Sequence, residues 1–157
     1  MQQPDKTLFF LPLLASACLL LASAVHAGLQ GDSVSIREAW VRKPVPGAAH
    51  AAAFFTLHND ANIAKQLSGV QCDASVARVC EMHQHIHSNG KMHMQKITEG
   101  LTIPANSDLR FSPGSYHVML LDVTPAMGNM KTVELVFTFA DQSTYHAHLP
   151  VKPVNEE

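Results

Sequence analysis

The chain has 157 residues, 15% of them charged, and a formal net charge of −2. That length predicts a single domain once any processed segment is removed. The small negative charge and the lack of a basic run exclude an electrostatic footprint for nucleic acid or an anionic membrane. Ten histidines and seven methionines are high counts for this length, and both surpluses fall partly in one stretch.

Residues 1–27 are predicted to be a secretory signal peptide. A short leading region with Lys6 precedes an apolar run over 8–24, and the segment ends on a motif that suits signal peptidase. We expect cleavage after Ala27, which leaves a periplasmic domain of residues 28–157 with no membrane span. An uncleaved membrane anchor is one alternative, because the apolar run is long. Lipidation at Cys18 is another, although the residues before it form a poor lipidation motif.

Two cysteines, Cys72 and Cys80, remain after cleavage. An oxidising exported compartment permits a disulfide between them. Two separately buried thiols are an equally good interpretation of the sequence.

From Ser33 onward, short runs with strand character alternate with turn signals every eight to twelve residues. The runs cover 33–42, 49–59, 64–72, 77–87, 91–97, 108–123, 132–140 and 143–151. No stretch has helical periodicity over three turns. The pattern predicts an all-β Greek-key sandwich or barrel of seven to nine strands, with an immunoglobulin-like sandwich as the alternative. The expected core aromatics are Trp40, Phe54, Phe55, Phe137 and Phe139.

The stretch CEMHQHIHSNGKMHM, residues 80–94, holds four histidines and three methionines. Asn89-Gly90 between two alternating runs predicts a two-residue hairpin turn. In that register His87 faces Met92 and His85 faces Met94. Because alternate residues of a strand share a face, one side of the hairpin is lined by His83, His85, His87, Met92 and Met94. The residues expected to face the core are Cys80, Met82 and Ile86.

A second cluster lies in SPGSYHVML, where His117 and Met119 are two apart and share a strand face. Val118 and Leu120 are expected to face the core. If this strand lies beside the hairpin, two imidazoles and two thioethers converge on one point. The other histidines, at positions 50, 58, 146 and 148, are expected to have ordinary surface or core roles.

This donor set favours copper. Thioether sulfur is soft and neutral and prefers Cu(I) to Zn(II), Ca(II) or Mg(II). The cysteine spacing of a structural zinc site and the clustered carboxylates of a calcium site are both absent from the sequence. A blue-copper site would need a cysteine ligand in the C-terminal hairpin, which has none.

These residues resemble the periplasmic copper chaperones of the PCuAC family over about residues 34–151. That family's signature is His, ten residues, Met, about twenty-one residues, then His-x-Met; here His83, Met94, His117 and Met119 fit it. The stretches AWVRKPVPGAAHAAAFFTLHN and GLTIPANSDLRFSPGSYHVMLLDV also look like the family. The resemblance implies a cupredoxin-like β fold and Cu(I) bound by those four residues.

The chain departs from the family pattern in three ways. Twenty-two residues separate Met94 from His117, and we expect the extra residue in the turn KITEG. The family pattern selects His83, whereas the ideal register sets His85 opposite Met94, so His85 stays the second choice. The C-terminus VKPVNEE lacks a His/Met-rich tail, so a second copper, as Cu(II), would use His85, His87, Met92 and His93.

We therefore predict a metallochaperone that hands Cu(I) to an acceptor by ligand exchange. The resemblance implies the CuA centre of cytochrome oxidase as that acceptor, reached directly or through a thioredoxin-like carrier. The alternative is a periplasmic copper buffer or resistance protein that sequesters copper without delivering it. No acid/base pair or nucleophile constellation suggests an enzyme.

Overall fold

The structure is a computed structural model that describes residues 33–88 and 90–153. The predicted signal peptide, residues 1–27, lies outside these described residues. The domain limits of 28–157 remain a prediction for the same reason. None of the described residues forms a helix long and apolar enough to cross a membrane.

Ten strands and one short 3-10 helix make up the described chain. The strands are β1 (Val34–Arg42), β2 (His50–Asn59), β3 (Lys65–Cys72), β4 (Ala77–Ser88), β5 (Lys91–Lys96), β6 (Leu101–Ile103), β7 (Ser107–Phe111), β8 (His117–Val123), β9 (Thr132–Phe139) and β10 (Thr144–Lys152). The 3-10 helix covers Pro125–Asn129, and the Thr124 side chain caps its first turn. The all-β fold is confirmed, with one strand more than the predicted upper limit.

The strands hydrogen-bond in the order β5-β4-β8-β2-β1-β10-β9-β3-β6, and β7 pairs with the far end of β2. Every pairing is antiparallel except that of β1 with β10. A disulfide between Cys72 on β3 and Cys80 on β4 ties the two halves of this path together, with the Cα atoms 5.9 Å apart. The cysteine question that the sequence left open is therefore answered by a disulfide.

The core lies between the inner faces of these strands. Phe55 stacks on Phe111 with ring centroids 4.4 Å apart, and Phe137 meets Phe55 edge-on at 5.0 Å. Alternation along the strands explains the pattern, because each buried residue is followed by a more exposed one along β9. The predicted core positions Phe137, Phe139, Cys80, Met82, Val118 and Leu120 are all buried.

Three predicted core residues lie elsewhere, and Phe54 is one of them, because it is buried on the outer face of β2. Trp40 is half-buried on the outer face, where it packs on Phe54 with ring centroids 4.6 Å apart. The cause is a β-bulge between Arg37 and Trp40, where Glu38 has a positive φ of 51°. One extra residue in a strand reverses the side on which the following side chains point. Ile86 is also only half-buried, on the part of β4 that extends beyond β8.

Candidate metal centre

Three histidines meet on the outer face of β4 and β8. The two strands pair so that His83 lies opposite His117, with ring centroids 6.0 Å apart. His85, two residues further along β4, stacks on the same His117 ring at 4.9 Å. His117 is only 3% exposed, although it lies on the outer face. The strand pairing that the sequence analysis required is therefore present.

The two predicted methionine ligands lie on the same face as these histidines. In the β4–β5 hairpin Met94 pairs with His85 and Met92 with His87, which is the predicted register. Met119 follows His117 by two residues on β8 and is half-buried. Met94 is 57% exposed, so one side of this group is open to solvent. We call His83, His85, Met94, His117 and Met119 the His/Met cluster.

Two imidazole nitrogens of the His/Met cluster have no hydrogen-bond partner. Nδ1 of His83 and Nδ1 of His85 are both buried and unpaired, and they are the only such side-chain atoms among the described residues. A buried polar atom without a partner costs about 1–3 kcal/mol. Such atoms are expected where a ligand completes the site. The third histidine differs, because Nδ1 of His117 donates to the Ser115 carbonyl oxygen at 3.0 Å.

The environment of His117 keeps its imidazole neutral. Burial lowers the pKa of His117, and the nearby His85 and His83 lower it further, against the opposing effect of the Ser115 hydrogen bond. A histidine binds a metal through a neutral ring nitrogen. His117 is therefore in the protonation state that a metal ligand needs at neutral pH.

Glu81 belongs to this face, and the sequence analysis missed it. Its carboxylate contacts Lys96 Nζ at 2.6 Å and His83 Nε2 at 3.1 Å. The hydrogen bond from Lys96, and then that from His83, lowers the pKa of Glu81. Strand alternation could have placed Glu81 on this face, because Glu81 precedes His83 by two residues. The hairpin register also puts Lys96 opposite His83.

The residues predicted for a second metal lie on both faces of the hairpin tip. His87 and Met92 pair directly and share the face of the His/Met cluster. His93 pairs with Ile86, so it lies on the opposite face from His85 and His87. Within residues 33–88 and 90–153, no group of three or more His, Cys, Asp or Glu side chains is arranged to hold a metal ion.

The other histidines of the described chain lie in ion pairs or at exposed strand positions. Nδ1 of His58 contacts Asp108 at 2.7 Å, and its Nε2 lies 3.4 Å from Asp60. Nδ1 of His146 contacts Glu134 at 2.9 Å on the exposed face of the β9–β10 pair. His50 and His148 are exposed strand residues.

An aromatic pair borders the His/Met cluster. Phe54 lies on the outer face of β2 with its ring centroid 6.5 Å from that of His117. Trp40 packs on Phe54, and the Arg42 guanidinium lies over both rings, at 5.7 and 5.3 Å from their centroids. The Phe54 ring covers one side of His117 and, together with the stacked His85 ring, contributes to its burial.

Sequence similarity identifies the family of this chain. The model of the family described as "Putative lipoprotein LpqE-like" matches residues 34–151. The chain belongs to this family. A relative from Leifsonia xyli subsp. xyli (strain CTCB07), named "Putative lipoprotein Lxx21020", is 32% identical over 142 residues, which is 90% of this chain and 83% of that protein. The uncharacterized protein RP573 of Rickettsia prowazekii (strain Madrid E) is 30% identical over 95 residues, about half of its length.

Solved structures confirm the predicted cupredoxin-like fold. The solution structure of CuI-DR1885 from Deinococcus radiodurans matches with a TM-score of 0.60 and 28% identity, over 82% of this chain and 85% of that one. The copper-bound PCuAC domain from PmoF2 matches with a TM-score of 0.59 and 21% identity, over 77% and 93%. The resemblance to the PCuAC family drawn from the sequence is confirmed.

Proposed function

We propose that this protein binds Cu(I) through His83, Met94, His117 and Met119 and delivers it to an acceptor protein. The main support is the buried, unpartnered Nδ1 atom of His83, whose ring centroid lies 6.0 Å from that of His117. Nitrogen and thioether sulfur together form a soft, neutral donor set, which favours Cu(I) over the harder divalent ions. The copper-bound state of two similar structures supports the same metal.

The exposure of Met94 supports a role in transfer. A ligand at the solvent edge of a site can be displaced by an incoming donor while the more buried ligands still hold the ion. Because Cys72 and Cys80 form a disulfide, no thiolate among the described residues competes for the copper. Transfer to a cysteine-bearing acceptor is therefore favourable, since thiolate is the stronger ligand for Cu(I). A CuA oxidase subunit or a thioredoxin-like copper carrier has that chemistry.

A competitive Cu(I) titration against a chromophoric chelator tests the site. We expect one tight equivalent in the wild type and clear weakening in Met94→Ala, His117→Ala and Met119→Ala. His148→Ala is the matched control, because His148 is an exposed histidine on β10. A Cu(I) affinity that is unchanged in all three variants would contradict the proposed ligand set.

Delivery needs its own experiment. The copper-loaded protein would be mixed with a CuA-type acceptor domain carrying reduced cysteines, and copper would be measured in each protein after separation. We expect copper to move to the acceptor. Retention by this protein would favour the alternative, a buffer or resistance protein, and loss of the gene would then cause copper sensitivity without oxidase deficiency.

The proposed compartment is the periplasm, reached after cleavage at Ala27. The lipoprotein description of the matched family supports export and keeps Cys18 as the alternative processing site. Mass spectrometry of the mature protein separates the possibilities. A start at Gly28 supports cleavage by signal peptidase, whereas a lipid-modified Cys18 would contradict it.

A second copper, as Cu(II), is proposed at the hairpin tip with His85 and His87 as its nitrogen donors. These two share a face with Met92, whereas His93 is on the other face and cannot join them without a change in the strand. Cu(II) titration of the Cu(I)-loaded protein, with His87→Ala and His93→Ala compared, tests this. Loss of the second copper equivalent in His87→Ala but not in His93→Ala supports His85 and His87 as ligands. Equal Cu(II) binding by the wild type and both variants would contradict this second site.

A further inference from the structure

Glu81 joins two residues of the hairpin through one carboxylate. Oε2 lies 3.1 Å from His83 Nε2, and Oε1 lies 2.6 Å from Lys96 Nζ. Strand geometry brings the three together, since Glu81 and His83 alternate along β4 and His83 pairs with Lys96 across the hairpin. The side chains of Glu81 and His83 are only 17% and 16% exposed, so water competes little for this contact.

This contact determines which nitrogen of His83 carries the proton. A carboxylate only accepts hydrogen bonds, so Nε2 of His83 must be the N–H that donates to Glu81. The neutral ring then has its lone pair on Nδ1. That atom is buried and has no hydrogen-bond partner. His83 is thus held with its free lone pair, on Nδ1, pointing away from Glu81.

His117 has the opposite arrangement. Its Nδ1–H donates to the Ser115 carbonyl oxygen at 3.0 Å, so its lone pair is on Nε2. In both residues one ring nitrogen is fixed by an acceptor and the other is left for a ligand. Metal-binding histidines commonly show this pattern, in which a carboxylate or backbone carbonyl fixes the tautomer and ring orientation.

We propose that Glu81 is a positioning residue for the copper site, holding His83 so that it binds Cu(I) through Nδ1 while His117 binds through Nε2. The proposal rests on the proposed function. Glu81 is not itself a ligand, because its two oxygens are occupied by His83 and Lys96 and because carboxylate is a hard donor that suits Cu(I) poorly. Lys96 fixes the other end of the carboxylate, so Glu81 has one orientation toward His83.

Two measurements on the full mature protein test this inference. Long-range ¹H–¹⁵N NMR of the imidazole rings reports the tautomer of each histidine and the nitrogen that Cu(I) occupies. Competitive Cu(I) titration gives the affinity. Both would be made on wild type, Glu81→Ala, Glu81→Gln and the control Glu99→Ala, an exposed glutamate in the loop after β5. Thermal unfolding would verify that each variant is folded.

The expected results follow from the contact. In the wild type His83 carries its proton on Nε2, and copper shifts the Nδ1 resonance of His83 and the Nε2 resonance of His117. Glu81→Ala loses the tautomer preference of His83 and weakens Cu(I) binding by about ten- to a hundred-fold. Glu81→Gln keeps an oxygen that can accept from Nε2–H, so it restores much of the tautomer preference and affinity. Glu99→Ala resembles the wild type.

Unchanged affinity and an unchanged tautomer in Glu81→Ala would overturn the inference, as would coordination of His83 through Nε2. Failure of the proposed function is a different result, in which the wild type itself has no tight Cu(I) equivalent. The tautomer of the copper-free protein still decides the role of Glu81 in that event. A proton on Nδ1 of His83 in the wild type would refute it.

Discussion

His83 and His117 lie directly opposite each other on the paired strands β4 and β8, with their ring centroids 6.0 Å apart. They are 34 positions apart in the chain, and the pairing of β4 with β8 alone brings them together. His85 stacks on the same ring, so two imidazoles of one strand face one imidazole of the next. The proposed Cu(I) site depends on which of these histidines are ligands.

His83 and His85 should differ in their contribution to Cu(I) affinity. Both have a buried, unpartnered Nδ1, but only His83 has its other nitrogen fixed by Glu81. We expect His83→Ala to weaken Cu(I) binding by about tenfold or more, equivalent to ~1.4 kcal/mol, and His85→Ala to have a smaller effect. Parallel chelator titrations measure both. The reverse order of effects would make His85 the ligand.

Removing the disulfide should lower stability without removing copper binding. A crosslink between positions as near as Cys72 and Cys80 contributes about 2–3 kcal/mol by restricting the unfolded chain. Cys72→Ser/Cys80→Ser should show that loss in urea unfolding while keeping Cu(I) affinity within a factor of about two. A large fall in the affinity of the still-folded double variant would show that the crosslink also supports the site.

Gly100 should not tolerate a side chain. Its φ is +77°, and a Cβ there would lie 2.6 Å from the Leu67 carbonyl oxygen. We expect Gly100→Ala to destabilise the fold by about 1–3 kcal/mol, because a left-handed backbone and a backbone clash both oppose it. Gly69→Ala is the matched control, since a Cβ at Gly69 meets nothing within 4 Å. Equal unfolding midpoints for the two variants would refute the prediction.

Acid should reduce stability partly through Asp141. Hydrogen bonds from Ser143 and then Lys65 lower the pKa of Asp141 from 3.8 to about 2. A carboxyl group whose pKa is lowered by folding stabilises the fold above its unfolded pKa. That contribution is lost as pH falls from about 4 toward 2. Urea unfolding should therefore separate the wild type from Asp141→Asn at pH 6, and the two should converge near pH 2. A constant difference between pH 6 and pH 2 would contradict this assignment.

Local patterns predicted the hairpin and its face well. The Asn-Gly signal fixed the turn, and the period of two then gave the pairing of His85 with Met94 that the structure has. The disulfide could not be decided, because it depends on how β3 and β4 approach each other in space. The prediction that Trp40 lies in the core was wrong for a related reason. A bulge at Glu38 reverses the side on which the following side chains point, and no residue of the sequence indicates that bulge.

Glu81 was missed because the sequence analysis considered only residue types that bind copper. Its contact with His83 follows from the same alternation that grouped the histidines, and its contact with Lys96 follows from the predicted hairpin register. Residues that orient a ligand can therefore be sought by the same strand geometry. The burial of His117 could not be found in this way, because it depends partly on Phe54, which comes from another strand, β2.

X-ray absorption at the copper edge of the Cu(I)-loaded protein, with the disulfide intact, tests the central claim most directly. The account predicts a first coordination sphere that contains both imidazole nitrogen and sulfur, with the sulfur contribution reduced in Met94→Ala and in Met119→Ala. A sphere of nitrogen alone, or a sulfur signal that is unchanged in both variants, would contradict a His/Met copper site.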